Sequence, residues 1–138
     1  MSDTSILSYS VDLNDQEMPD PLPPGTYSGE IVKTERKTSG AGNNYLAVSV
    51  RIPPEGFPAD FNADGLDDGI ILTYNRLSTE DNAMARYRMR RFLESVGMVP
   101  SKEIDINDLL GRTLSVEVGN QVYEGEKRAQ ITKLLGST

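Results

Sequence analysis

The side chains that carry most protein chemistry at neutral pH are absent here: the chain has no cysteine and no histidine. Thiol nucleophiles, disulfides, zinc fingers and a histidine general base are therefore excluded. Carboxylates are plentiful, with 21 Asp and Glu. None of them sits in a recognisable acid–base pair motif, and no glycine-rich phosphate loop ending in Gly-Lys-Ser/Thr occurs. Acid clusters that could hold magnesium for a nuclease lie in a loop and a terminal arm rather than beside a lysine at strand ends. The inventory leads us to expect a protein that is not an enzyme.

The sharpest local motif is Asp60-Phe-Asn62-Ala-Asp64-Gly65-Leu-Asp67-Asp68. Oxygen-bearing side chains at relative positions 1, 3, 5 and 9, with glycine at 6, match the start of a calcium loop. The bidentate Glu that an EF-hand needs at position 12 is replaced by Ile71. The motif is closer to the short Asp-Xaa-Asn-Xaa-Asp-Gly loops that precede a strand. Asp60, Asn62, Asp64 and Asp68 are thus candidate calcium ligands; the plainer expectation is an acidic, turn-forming loop. No other cofactor is expected.

A second constellation mixes aromatics with cations. Lys33, Arg36 and Lys37 fall on one segment, Tyr45 and Arg51 on the next, Tyr74 and Arg76 on a third, and Tyr123, Lys127 and Arg128 near the last turn. Cations for phosphates and flat rings for bases are what a groove for single-stranded nucleic acid needs. The competing expectation is that Tyr45 and Tyr74 are half-buried cross-strand partners and the cations only solubilise. Four arginines at 86, 88, 90 and 91 cannot share one helix face, although Arg86 and Arg90 can. A solvated helix flank is the expectation for that run.

Residue patterns then say which elements must hold these groups. Residues 1–20 contain scattered apolar residues and acids and read as a disordered acidic arm. Pro19-Asp-Pro-Leu-Pro-Pro24 is a stiff spacer, and residues 21–138 form one domain. Tyr27–Arg36 reads as a first strand, rich in residues that suit a pleated surface. In Tyr45–Ile52 the residues Leu46, Val48, Val50 and Ile52 alternate with Tyr45, Ala47, Ser49 and Arg51, so one face is expected in the core and the other in solvent. Gly69–Leu77 begins apolar on both faces, which predicts a central third strand. A helix follows, capped by Ser78 or Thr79, with Glu80 and Asp81 in its first turn and Gly97 as its stop. Asn107–Leu110 is a short helical turn. Thr113–Val118 and Arg128–Leu135 are two more strands, joined through a turn at Tyr123–Lys127. The result is an all-β chain with one helix between strands 3 and 4. That order is the order of a five-stranded OB-fold barrel; an edge-rich five-stranded sheet is the rival.

The net charge of −7 argues at first against a polyanionic partner. Its distribution changes that. Residues 1–20 hold Asp3, Asp12, Asp15, Glu17 and Asp20 without a base. Residues 55–68 hold Glu55, Asp60, Asp64, Asp67 and Asp68 without a base. The other eleven acids face all 14 Lys and Arg, so the rest of the chain is about +3. Local potential steers a polyanion, and the sequence permits a basic face. No apolar run approaches a membrane span, and the first twenty residues lack the basic and apolar stretches of a secretory signal. An intracellular protein without membrane contact is expected.

Several short stretches occur in a familiar order. Leu22-Pro-Pro-Gly-Thr-Tyr27 opens the first strand. Lys37-Thr-Ser-Gly40 and Asn44-Tyr-Leu46 lead into the second. Arg91-Phe-Leu-Glu-Ser-Val-Gly97, Asp108-Leu-Leu-Gly-Arg112 and Tyr123-Glu-Gly125 follow. Over roughly residues 21–135 the chain resembles a family of small phage-encoded proteins, formerly a domain of unknown function. Its better-understood members look like single-stranded-DNA-binding proteins of OB-fold type. The resemblance implies largely sequence-independent binding of single-stranded DNA in phage DNA replication or recombination. It implies the cytoplasm of an infected bacterial host, phage or host replication proteins as further partners, and homo-oligomers along DNA. A function from another class stays open: a protein-interaction or virion-associated β module, with the loop 60–68 as a calcium site.

Overall fold

The computed structural model describes residues 5–17 and 19–136. Its elements are β1 (Gly25–Thr38), β2 (Asn44–Ile52), β3 (Ile70–Ser78), α1 (Ala83–Ser95), β4 (Thr113–Tyr123) and β5 (Glu126–Gly136). Short 3-10 turns occur at Leu13–Asp15, Pro54–Gly56 and Ile106–Leu109. The expected order of three strands, helix and two strands is present. Among the described residues no helix is long and apolar enough to cross a membrane.

The five strands form one open antiparallel sheet in the order β3-β2-β1-β4-β5. β1 organises it by serving two partners with different halves. Residues 25–30 pair with β4, and residues 30–38 pair with β2. Two features make the changeover possible. A bulge at Val32 shifts the register between Ile31 and Lys33, and bulges bend a strand and raise its twist. Gly29 lies where β1 passes closest to β2: a Cβ there would collide with the Val50 side chain and come within 2.9 Å of the Arg51 carbonyl oxygen. The sheet coils as a result, and its edge strands β3 and β5 come near each other without a hydrogen-bonded ladder between them. β3 is an edge strand in this order, not the central strand its two apolar faces had predicted.

The inside of the coil is apolar. Ile31, Leu46, Val48, Val50, Ile52, Leu114, Val116 and Val118 are essentially inaccessible, and Phe92 and Leu93 of α1, with Val96 just after it, join the same core. Leu22, just before β1, is also buried, and the Asn120 amide donates to its carbonyl at 2.9 Å. The proline-rich spacer is thus pinned to the β4 side of the sheet.

The alternation predicted for β2 holds on its core face and fails on the other. Ala47 is 4% exposed and Ser49 8%. Both are small and sit between longer neighbours: Glu35 is paired opposite Ala47, and Lys33 and Thr73 flank Ser49. The Ser49 hydroxyl meets the Thr73 hydroxyl at 2.8 Å, which satisfies the buried oxygen.

The helix starts later than its sequence signals indicated. Ser78 stays in the sheet opposite Tyr45, and the Thr79 N–H donates to the Asn44 carbonyl at 3.1 Å. The Glu80 carboxylate accepts from the Asn44 N–H at 2.6 Å. These contacts hold 78–80 to β2, so Asn82 becomes the cap, its side chain accepting from the Ala85 N–H at 2.9 Å. Asn82→Ala should lower stability by about 1 kcal/mol, read as a shift in urea midpoint at unchanged slope; no shift would mean the cap carries no weight. Gly97 ends the helix as expected, with φ 82°.

β4 and β5 each extend beyond the sequence reading. Their turn is only Glu124-Gly125, with φ of 50° and 79°, the two positive values of a type I′ hairpin. Beyond Val118 the pair projects past β1 as a two-stranded ribbon.

Tyr27 is buried against this core, and its hydroxyl donates to the Pro23 carbonyl at 2.7 Å. Burial raises its phenol above the usual value near 10. The native state therefore holds this proton more tightly than the unfolded chain. The contribution is fully present below the unfolded value and is lost as pH rises through the native one. Stability should hold between pH 7 and 9 and fall above about pH 10. Tyr27→Phe should shrink the alkaline loss; an unchanged loss would contradict the assignment.

Candidate nucleic-acid interface

Strand register decides which of the candidate side chains share a face. Residues directly opposite in an antiparallel pair point to the same side. Lys37 lies opposite Tyr45, and Lys33 opposite Ser49. With Arg51 two residues further along β2, the set Lys33, Lys37, Tyr45 and Arg51 stands on the outer face of β1 and β2. The bulge at Val32 is what puts the lysines there. Ile31 is inside, and in a regular strand Lys33 would follow it inward.

The same register sends two candidates to the other side. Arg36 pairs with Leu46 and Tyr74 pairs with Val48, both on the core-facing side. Tyr74 is half-buried and packs against the core. It is the cross-strand partner that the competing sequence expectation described. Arg36 lies beyond the core, at the mouth of a groove beside α1. Arg76 is exposed in a β3 bulge, where it and Asn75 together oppose Ala47.

Tyr123, Lys127 and Arg128 sit at the tip of the β4–β5 ribbon. The Arg128 guanidinium lies 5.5 Å from the Tyr123 ring centroid and 3.1 Å from the Glu126 carboxylate. Lys127 pairs with Val122 and Arg128 with Gln121, so these two cations face opposite sides of the ribbon.

One relevant residue was not singled out from the sequence. Glu35 sits between the two lysines, 3.7 Å from Lys33 and 3.8 Å from Lys37. All three are well exposed, and such pairs are worth about 0–1 kcal/mol, so a phosphate can compete for the lysines. The i, i+2 spacing on one strand was the available signal. Ile71, exposed and opposite Arg51, extends the face with an apolar surface. Arg51 also donates to the Asp68 carbonyl at 2.8 Å, tying the long loop after β2 to this face while keeping its charge unpaired by any carboxylate among the described residues.

The loop holding the calcium-like spacing is built from turns. Asn62 accepts from the Asp64 N–H at 3.1 Å, and the Leu66 and Gly69 N–H groups close further turns. Among the described residues no three acidic side chains gather as a metal site. Of the candidate ligands Asp60, Asn62, Asp64 and Asp68, the three aspartates form no such group, and Asn62 does the turn-forming work of its residue type. The loop also packs Phe57 edge-on against Phe61, ring centroids 5.1 Å apart.

The α1 arginines are mostly engaged. Arg86 pairs with Asp81 at 2.6 Å, Arg90 with Glu94 at 3.3 Å, and Arg91 donates to the Tyr87 hydroxyl at 3.1 Å. No protein-family model matches the chain, and no curated protein matches it.

Proposed function

We propose that this protein binds single-stranded DNA without catalysis and with little sequence preference, through an OB-type barrel acting in phage DNA replication or recombination. One observation carries the reading: the register that sets Lys37 opposite Tyr45 and aligns Lys33 and Arg51 on the same outer face. Cations there neutralise phosphates while the tyrosine ring offers a stacking surface that accepts any base. The ribbon tip, with Tyr123 beside Arg128, adds a second ring and cation. The strand order, the double pairing of β1 and the approach of β3 to β5 support the barrel assignment. The phage setting and the bacterial cytoplasm rest on the sequence resemblance over residues 21–135.

The test is the salt dependence of oligo-dT affinity. Three or four phosphate contacts predict a linear fall in log affinity against log salt with a slope of about −2 to −3. A slope near zero would remove the phosphate role. A module for protein contacts is the second reading, favoured by Val122 and Tyr123, which are 68% and 57% exposed at the ribbon tip.

A further inference from the structure

Two Asp-Gly bonds occur in the long loop between β2 and β3, Asp64-Gly65 and Asp68-Gly69. In such a bond the glycine nitrogen can attack the carboxyl carbon of the aspartate before it. Glycine has no Cβ to shield that nitrogen, and its backbone turns with little steric cost. Ring closure requires the peptide plane between the two residues to rotate until the nitrogen meets the aspartate Cγ. Whatever holds that plane therefore decides whether the bond reacts.

The two bonds are held very differently. Asp64 and Gly65 are exposed and form the middle of a turn closed by the Leu66 N–H donating to the Ala63 carbonyl at 2.9 Å. Within their own peptide plane, neither the Asp64 carbonyl nor the Gly65 N–H makes a hydrogen bond among the described residues. The space beside Gly65 is open. The Asp68–Gly69 plane is fastened at both ends. Its carbonyl accepts from the Arg51 guanidinium at 2.8 Å, and its N–H donates to the Leu66 carbonyl at 3.0 Å. Gly69 is also packed so closely against the Ile52 carbonyl and the Pro53 Cα that no Cβ would fit.

We infer that Asp64 is a site of spontaneous isomerisation to isoaspartate in the folded protein, and that the fold protects Asp68 from the same reaction. The Gly65 nitrogen bonds to the Asp64 Cγ, and the amide proton leaves with the carboxyl hydroxyl as one water, giving a cyclic imide. Water then opens the ring. Opening at Cγ restores aspartate. Opening at the main-chain carbonyl leaves the chain running through Cβ and Cγ, with the carboxylate now on Cα. One water is lost and one regained, and nothing is oxidised or reduced. The altered turn lies between Ala63 and Leu66, outside the Arg51–Asp68 contact and the Gly69 approach to Ile52. The β2–β3 ladder therefore keeps its register after the change. The chemistry is independent of DNA binding.

No Lys or Arg occurs between Arg51 and Arg76, so trypsin releases both bonds in one peptide, residues 52–76. Full-length protein is kept warm at neutral pH for several weeks, one sample native and one unfolded in guanidinium chloride. Mass spectrometry with fragmentation that cleaves within an isoaspartyl residue then locates the product. In the native sample isoaspartate should build up at Asp64 at least about tenfold faster than at Asp68, where two hydrogen bonds must break first. In the unfolded sample the two rates should come within a few-fold of each other. Equal build-up at both positions in the native protein, or none at Asp64, would overturn the assignment. A preference for Asp64 that persists unchanged in guanidinium would overturn the protective role of the fold.

Discussion

Replacing Lys33 and Lys37 together by glutamate is expected to weaken oligo-dT binding by about 25-fold at 0.1 M salt, because each lost phosphate contact removes about 0.7 from the salt slope. The slope itself should flatten by about 1.4. Stability should barely change, since the lysines' pairs with Glu35 are long and exposed. The effect comes from position rather than from charge count. Arg36→Glu changes the charge of the same strand by two units but faces the other way, so it should leave the slope close to wild type. Tyr45→Ala should cost a further ~1–3 kcal/mol of binding, about 5- to 150-fold. Equal losses from Arg36→Glu and the lysine changes would mean that general charge, not this face, governs binding. The check is affinity measured for all variants across salt, beside their urea midpoints.

Gly69→Ala is expected to destabilise the fold by on the order of 3 kcal/mol or more, while Gly65→Ala costs about 1 kcal/mol. Both glycines have positive φ, 90° and 78°, so both substitutions carry backbone strain. Their surroundings differ. A Cβ at Gly65 meets open space, whereas one at Gly69 would collide with the Ile52 carbonyl oxygen and lie 3.1 Å from the Pro53 Cα. Gly69 lets the returning loop pass against the end of β2 before β3 begins. Moving it would displace the Ile52–Ile70 pair that starts the β2–β3 ladder. Denaturant melts of the two variants check this, and similar losses for both would show that the close approach at Ile52 carries no weight.

Much of this architecture was readable from residue pattern. The core positions Leu46, Val48, Val50 and Ile52, the helix stop at Gly97 and the order of elements all followed from local periodicity and turn chemistry. What escaped depended on partners distant in sequence. The burial of Ala47 and Ser49 is set by Lys33, Glu35 and Thr73 across two strands. The helix cap moved because Glu80 finds the Asn44 N–H, 36 residues away in sequence. β4 and β5 outran their apolar pattern because ladder hydrogen bonds continue through Gly119, Asn120 and Gln121 without it.

The candidate surface shows the same division. The sequence supplied the residue types but not the face. One extra residue at Val32 inverts the parity of β1, turning Lys33 and Lys37 outward and Arg36 inward. Tyr74 carries the chemistry of a stacking residue, yet its position opposite Val48 gives it to the core. The Asp60–Asp68 spacing is shared by calcium loops and by successive turns, and the hydrogen bonds here are those of turns.

The most direct measurement is fluorescence anisotropy of the full-length protein with labelled oligo-dT and a matched duplex, each at low and at physiological salt. The proposed function predicts tight binding to oligo-dT that weakens as salt rises, with the duplex bound much more weakly throughout. Equal affinity for duplex and single strand, or no binding to oligo-dT at low salt, would contradict it.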